Sequence, residues 1–140
     1  IRAQLDAAYH GTYSRARRQF QDRLVDAVVD LPAAEPRSAP WIVFTAGAMG
    51  AGKSHAINWM SERGIFTLSE IVQLDPDVAT VAVPEWGGYG ARAPRTAGSH
   101  TRKESGYLVE IAQQAAMAAR KHVWVDGSLR DGEWYASELE

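Results

Sequence analysis

The chain has 140 residues, 46% hydrophobic and 23% charged, a composition that is typical of one globular domain and that excludes a disordered segment. Its formal net charge of −2 argues against a protein that grips nucleic acid through a strongly basic surface. Cysteine is absent, so disulfides and thiolate metal sites are excluded and the cytoplasm is the expected compartment. No apolar run approaches the ~18 residues of a membrane span, so no membrane partner is expected.

The first predicted segment, residues 1–30, is helical. Its apolar residues recur at three- and four-residue steps, the period of an amphipathic helix, with an interruption at Gly11 and Thr12. These apolar residues are Phe20, Leu24, Ala27 and Val28. The basic residues between them, Arg17 included, are interpreted as a solvated helix face. Residues 31–40 form a Pro/Ala-rich linker, because its prolines cannot continue a helix.

Residues 41–140 alternate between predicted strands and helices. Short apolar runs predict strands at 41–45, 71–74 and 122–126, the first of them buried on both faces. Helices are predicted at 53–63, 101–121 and 131–140, whereas the Gly- and Pro-rich residues 81–99 are predicted to be a long functional loop with little regular structure. This alternation predicts an α/β fold, a parallel sheet with flanking helices like that of P-loop NTPases and nucleotide kinases.

The number of predicted strands in residues 41–140 bears on domain organisation. Nucleoside-triphosphate-binding α/β domains generally need about five parallel strands to cover both faces of a sheet. Three strands are predicted here. We therefore expect the sheet to be incomplete, and either the chain is the N-terminal portion of a longer protein or the remaining strands come from elsewhere.

The strongest chemical signal is a glycine-rich loop with the Walker A pattern, Gly47-Ala48-Met49-Gly50-Ala51-Gly52-Lys53-Ser54. Its glycines allow backbone N–H groups to wrap phosphates, and the following helix presents its positive end to them. Lys53 is expected to reach the β- and γ-phosphates, and the Ser54 hydroxyl is expected to bind Mg²⁺. The loop therefore predicts that a nucleoside triphosphate binds together with Mg²⁺.

Asp126 follows an apolar strand, as the aspartate of a Walker B motif does, and is expected to support Mg²⁺ directly or through water. Without the upstream loop, a turn or a helix N-cap beside Gly127 would explain it equally well. Glycine at position 127 weakens the interpretation as a motor ATPase, many of which place a catalytic glutamate there. The guanine-specificity pattern Asn-Lys-x-Asp is absent, which argues against a GTPase switch within this stretch.

Two further carboxylates are candidates for catalysis. In an extended segment, Asp75 and Asp77 would face one side, at the strand edge where parallel sheets bind ligands, and Asp77 is preferred as a general base. The alternative is an Asp-Pro turn. Glu104 lies three residues after Thr101, and this spacing by itself favours a capping box. Arg130, just after the third predicted strand, is a candidate phosphate ligand, whereas the other nearby arginines (92, 95 and 102) are more typical of solvent-exposed positions.

These motifs, in this order, resemble the zeta-toxin family of P-loop kinases over about residues 41–130. The resemblance rests on the glycine loop, on Asp75-Pro-Asp77 followed by Val83-Pro84-Glu85-Trp86, on His100-Thr-Arg-Lys-Glu104-Ser, and on Val125-Asp126-Gly-Ser-Leu-Arg130. It implies that Asp77 deprotonates the acceptor hydroxyl, that Glu104 binds the substrate or assists the base, and that Arg130 contacts phosphate. This chain departs from the family in having Ala79 and Thr80 where many members carry Arg or Lys, and in lacking the C-terminal lid arginines.

The resemblance implies an ATP-dependent kinase that transfers the γ-phosphoryl group to a hydroxyl of a phosphate-bearing small molecule, such as UDP-N-acetylglucosamine or NAD. It also implies a protein partner of the antitoxin kind. Trp86 and Tyr89 are candidates for stacking on a base or sugar. Two alternatives stay open: a polynucleotide 5′-hydroxyl kinase, and a nucleotide-binding regulatory module without transfer activity.

Overall fold

The structure is a computed structural model that describes residues 2, 11–30, 35–48, 50–65, 67–127 and 136. In chain order its elements are α1 (Arg15–Val29), β1 (Ile42–Thr45), α2 (Lys53–Glu62), a 3₁₀ turn (Leu68–Glu70), β2 (Val72–Leu74), α3 (Pro76–Ala82), α4 (Trp86–Arg92), α5 (Ala97–Ala118) and β3 (Val123–Asp126). The helix predicted at 131–140 lies outside the described residues, apart from Ala136. Among the described helices, none combines the length and apolarity needed to cross a bilayer.

The strands form one parallel sheet in the order β1-β3-β2, which confirms the predicted α/β class. β3 lies in the centre, and its residues Val123, Trp124 and Val125 are buried. β1 pairs with β3 on one side only within the described residues, and all four of its residues are half-buried. β1 is therefore less buried than the predicted strand with two buried faces, and within the described residues no strand flanks its other edge.

Helices cover the sheet on both faces. On one face α1 and α5 pack against β2 and β3 in a core that includes Val25, Leu108 and Val72. On the other face Ile57 of α2 meets Trp124. The sheet is thus the middle layer of three, and its carboxyl edge is left free for the loops that follow β1, β2 and β3.

The face that α1 buries differs from the predicted one. The buried residues are Gln21, Val25 and Val29, spaced by four, whereas Ala27 is exposed. Spacing by four keeps side chains on one face of a helix, and the two valines of this face enter the main core. The stripe with Phe20 and Leu24 is half-buried beside it.

The predicted long loop at residues 81–99 is mostly helical, so that prediction is wrong. α3 extends to Ala82, α4 spans Trp86–Arg92 despite three glycines, and α5 begins at Ala97. Glycine in a helix costs only about 1 kcal/mol relative to alanine. α3 and α4 both pack against α5, and this tertiary contact outweighs the weak intrinsic propensity.

The early start of α5 also overturns the predicted capping box. Thr101 lies inside the helix, where its hydroxyl donates to the carbonyls of Ala97 and Gly98 at 3.3 Å each. A residue within the helix cannot be its N-cap. Glu104 is consequently free of any capping role, and its carboxylate contacts α1 instead.

Candidate functional site

The glycine-rich loop joins β1 to α2, which begins at Lys53 as expected for a loop that presents phosphates to a helix N-terminus. Gly52 is the N-cap and has φ +85°, a left-handed conformation that glycine adopts without a steric cost. At Gly47, where φ is +149°, an added Cβ would lie 3.3 Å from the Ala51 Cβ. Both glycines are thus required by conformation or space, and Gly50 is left-handed as well, with φ +78°. Met49 lies outside the described residues.

Lys53 lies across the loop that precedes it. Its Nζ donates to the carbonyl oxygen of Gly47 at 3.1 Å and to that of Ala48 at 3.5 Å. The loop turns back on itself through a hydrogen bond from the Ala51 N–H to the Ala48 carbonyl at 3.1 Å. The ammonium group therefore lies within the curve of the loop, next to the positive end of the α2 dipole. This is a favourable environment for an anion such as phosphate.

Asp126 ends β3 directly opposite Thr45, the last residue of β1. The Thr45 hydroxyl donates to Asp126 Oδ1 at 2.5 Å, and both side chains are half-buried. Ser54 is exposed in the first turn of α2. Hydroxyl and carboxylate oxygens are the hard ligands that Mg²⁺ prefers, and Mg²⁺ usually keeps several waters and phosphate oxygens as well. Ser54 and Asp126 therefore suit this ion, whereas no cluster of three or more acidic or imidazole ligands occurs in the described part of the chain.

Asp75 and Asp77 follow β2, but the expectation that they lie in an extended segment is wrong. Asp75 is the N-cap of α3, and its Oδ1 accepts a hydrogen bond from the Asp77 backbone N–H at 2.8 Å. Pro76 at the first helical position suits this arrangement. The Asp-Pro turn alternative is thus realised by Asp75. Asp77 lies exposed in the first turn of α3, at the carboxyl end of β2.

The strand order fixes how the loop and Asp77 are arranged. β3 lies between β1 and β2, and adjacent strands are separated by about 4.8 Å, so the ends of β1 and β2 are about 10 Å apart. α5 has 22 residues and is about 33 Å long, whereas the four residues of β3 span about 13 Å. Because α5 leads directly into β3, its first turns project beyond the carboxyl edge on which the glycine loop and Asp77 lie.

A polar cavity of about 310 Å³ lies beside these first turns of α5. It is lined by residues from α1, α5 and the region of α4, namely Arg17, Val83, Glu85, Tyr89, His100, Thr101 and Glu104. The Tyr89 and His100 rings are stacked with their centroids 4.9 Å apart. This volume is at the low end of the ~300–1,000 Å³ typical of small-molecule sites.

Arg17 of α1 joins the two carboxylates of this cavity. Its Nε and Nη2 donate to the Glu104 carboxylate at 2.6 and 2.8 Å, and its Nη1 and Nη2 donate to the Glu85 carboxylate at 3.0 and 2.7 Å. The hydrogen bonds to Glu104, and then those to Glu85, raise the pKa of the Arg17 guanidinium. The same contact with Arg17 lowers the pKa of Glu85. The Arg17 guanidinium and the Glu85 carboxylate are therefore charged at neutral pH.

Gln21, one turn after Arg17, completes the network. Its Nε2 donates to Glu104 Oε1 at 2.8 Å, and its Oε1 accepts from the Arg2 guanidinium at 2.8 Å. The Gln21 side chain is fully buried and both ends of its amide are bonded. The Glu104 carboxylate is thus held by two residues of α1.

The structure places the predicted site residues in two groups and leaves others apart. The loop with Lys53 and Ser54 follows β1, whose last residue Thr45 bonds to Asp126. Glu104 lines the cavity, and Arg130 lies outside the described residues. The arginines at 92, 95 and 102 are exposed, as the sequence indicates. Arg17 was interpreted as solvated and is instead the residue that connects the cavity carboxylates. Extending the buried spacing Val25–Val29 backwards by fours leads to Gln21 and Arg17, a signal that the sequence contains.

The parallel sheet, the glycine loop and the helix that follows it define a P-loop nucleotide-kinase-like domain. The family model for Zeta toxin matches residues 25–139. The chain therefore belongs to the Zeta toxin family.

Two known proteins are similar to parts of this chain. A chain in the solved structure of the PezAT chromosomal toxin–antitoxin system of Streptococcus pneumoniae superposes with a TM-score of 0.75 at 16% identity, over 93% of this chain and 53% of that one. The tRNA modification GTPase MnmE of Rhodopirellula baltica is 36% identical over an alignment of 98 residues, which covers 64% of this chain and 21% of that protein. The chain thus spans about half of the solved chain and about a fifth of the curated relative.

Proposed function

We propose that the protein is an ATP-dependent kinase of the zeta-toxin type, which transfers the γ-phosphoryl group to a hydroxyl of a small molecule. The observation that carries this proposal is the pairing of two distinct sites on one sheet edge. One site is the glycine-rich loop with Lys53, and the other is the polar cavity beside Glu104. A kinase needs both a triphosphate site and a separate acceptor site, whereas a nucleotide-binding module needs only the first.

The loop and Lys53 bind ATP in this proposal. Backbone N–H groups of the loop wrap the phosphates, and the Lys53 ammonium moves from the loop carbonyls to the β- and γ-phosphate oxygens. Ser54 and Asp126 are the residues that would hold Mg²⁺, which supplies charge neutralisation on the phosphates. Thr45 fixes the Asp126 carboxylate through its hydroxyl. Arg130 is retained as a proposed phosphate contact.

Asp77 is the proposed general base. Its carboxylate accepts the proton of the acceptor hydroxyl, the hydroxyl oxygen bonds to the γ-phosphorus, and the bond to the β-phosphate oxygen breaks to release ADP. Its exposed position in the first turn of α3 leaves the carboxylate accessible to a substrate. Asp75, which caps that helix, has its Oδ1 engaged with the Asp77 N–H and is not proposed as a base.

The cavity beside Glu104 is the proposed acceptor site. Its carboxylates and the Thr101 hydroxyl can bond to acceptor hydroxyls, and the stacked Tyr89 and His100 rings offer a flat apolar face. Its charged residues are two glutamates and one arginine. The resulting net negative charge disfavours the many phosphates of a polynucleotide more than the single diphosphate of UDP-N-acetylglucosamine or NAD, which supports a small-molecule acceptor over an oligonucleotide.

The proposal is tested by identifying the phosphorylated product. Full-length protein is incubated with ATP and Mg²⁺ and with UDP-N-acetylglucosamine, NAD or a 5′-hydroxyl oligonucleotide, and products are separated by mass spectrometry. We expect a new phosphomonoester on one of the two small molecules, and its loss in Lys53→Ala. Transfer to the oligonucleotide alone would establish the polynucleotide alternative, and ATP binding without any transfer would favour the regulatory module. The Streptococcus pneumoniae neighbour belongs to a toxin–antitoxin system, and we propose an antitoxin-like partner here as well.

A further inference from the structure

We propose that Arg17 of α1 is a positioning residue of the acceptor site, which fixes Glu85 and Glu104 so that the cavity binds an uncharged, hydroxyl-bearing part of the acceptor. This inference rests on the proposed function. Arg17 precedes residues 25–139, to which the family model matches, so its role concerns a wall of the cavity that lies outside the matched segment.

α1 is a permanent part of the fold. Val25 and Val29, two and three turns beyond Arg17 on the same face, are buried in the main core with Leu108 and Ile111 of α5. Gln21, which lies between Arg17 and Val25 on this face, is fully buried. Removing α1 would expose this core, so the arginine is held in the cavity wall by packing that does not depend on its own ion pairs.

Arg17 and Gln21 together fill most of the hydrogen-bonding capacity of Glu104. An ionised carboxylate has about four acceptor positions. Three hydrogen bonds from these two residues reach Glu104, and two from Arg17 reach Glu85. The Glu85 carboxylate also accepts a hydrogen bond from its own backbone N–H. Counting the described residues, about one position therefore remains on each of the two glutamates. A bidentate guanidinium fixes a carboxylate plane, so these remaining positions have set directions before a substrate binds.

The charge of the cluster selects the chemistry that it accepts. Two carboxylates and one guanidinium leave one net negative charge, and four of the five N–H donors of Arg17 are engaged with the two carboxylates. The remaining groups accept hydrogen bonds and repel anions. A ring with neutral hydroxyl or amide donors fits such a site, whereas the phosphates of the acceptor must lie outside it.

The test compares Arg17→Gln with Arg17→Lys and with the control Arg15→Gln, which removes the same charge from an exposed position of α1. Steady-state kinetics of the full-length protein use UDP-N-acetylglucosamine or NAD, whichever the wild type phosphorylates. We expect Arg17→Gln to raise the acceptor KM by about 10- to 100-fold, the range expected for losing hydrogen bonds to charged groups, while the ATP KM is unchanged. Lysine cannot bridge both carboxylates, so Arg17→Lys should be intermediate, and Arg15→Gln should match the wild type.

Circular dichroism establishes that each variant is folded before kinetics are measured. If the wild type is active and folded Arg17→Gln has the same acceptor KM, the positioning role of Arg17 is overturned and the proposed kinase function stands. A lower acceptor KM in Arg17→Gln overturns it as well, and shows that the guanidinium competes with the acceptor. A wild type that transfers phosphate to neither small molecule contradicts the proposed function, and the inference fails with it.

Discussion

Replacing Thr45 by valine removes one hydroxyl and little else, so it isolates the bond between β1 and the carboxylate that ends β3. The Thr45 hydroxyl donates to Asp126 Oδ1 at 2.5 Å, and the two residues are directly paired in the sheet. Valine has nearly the same shape as threonine and suits a strand at least as well. The lost contribution is therefore that of one hydrogen bond to a charged acceptor.

Such bonds contribute about 1.5–3 kcal/mol when buried. Both side chains are half-buried, so water replaces part of the lost interaction. We therefore expect the free energy of unfolding to fall by about 1–2 kcal/mol, at or below the lower end of that range. For a domain of this size this corresponds to a decrease in Tm of about 2–8 °C.

Urea unfolding followed by far-UV circular dichroism measures this change. Thr45→Ser is the matched control, because it keeps the hydroxyl and should lose less stability despite its weaker strand propensity. In Asp126→Asn the effect of Thr45→Val should shrink, since the acceptor is no longer charged. If Thr45→Val were as stable as the wild type, or if serine and valine were equally destabilising, the bond would not contribute as the geometry indicates.

Two further predictions concern the loop and the strand starts. Gly52→Ala should destabilise the fold by about 1–2 kcal/mol because φ is +85°, and it should abolish ATP binding in isothermal titration calorimetry. The control Gly64→Ala, at φ +69° away from the loop, should have a similar stability cost and retain ATP binding. Equal ATP affinities in the two variants would refute the role of Gly52. Burial lowers the pKa of His122 below its ordinary 6.5, and the ring is stacked on Trp41. The unfolded chain then takes up the proton first, so the urea midpoint should fall as the pH decreases from about 7.5 through 6.5 towards the lowered pKa. His122→Phe should flatten this dependence, and an unchanged slope in His122→Phe would contradict the assignment.

The parts of the fold that depend on local pattern were predictable from the sequence. The three strands begin and end within one residue of the predicted limits, because short apolar runs and their flanking turns determine them. The helix start at Lys53 was also predicted, since a glycine loop after a strand imposes it. The sequence pattern does not predict α4, because its glycines disfavour a helix in isolation and packing against α3 and α5 stabilises it.

The cavity network could not be read from local spacing. Arg17 and Glu104 are 87 positions apart, and only the packing of α1 on α5 brings them together. The spacing of Thr101 and Glu104 suggested a cap because the sequence does not show that α5 begins at Ala97. A helix start that is wrong by four residues changed the predicted role of a carboxylate. The spacing by four of Arg17, Gln21 and Val25 does indicate that the two polar residues lie on the buried face of α1.

The most direct test of the central claim is γ-phosphoryl transfer by full-length wild type and Asp77→Asn under single-turnover conditions. Radiolabelled ATP, Mg²⁺ and either UDP-N-acetylglucosamine or NAD are mixed with excess enzyme, and label in the acceptor is followed over time. The account predicts that wild type labels one acceptor, whereas Asp77→Asn binds ATP with unchanged affinity and transfers label at least about 100-fold more slowly, as expected for loss of a general base. Transfer by Asp77→Asn at the wild-type rate, or label released by wild type only as inorganic phosphate, would contradict it.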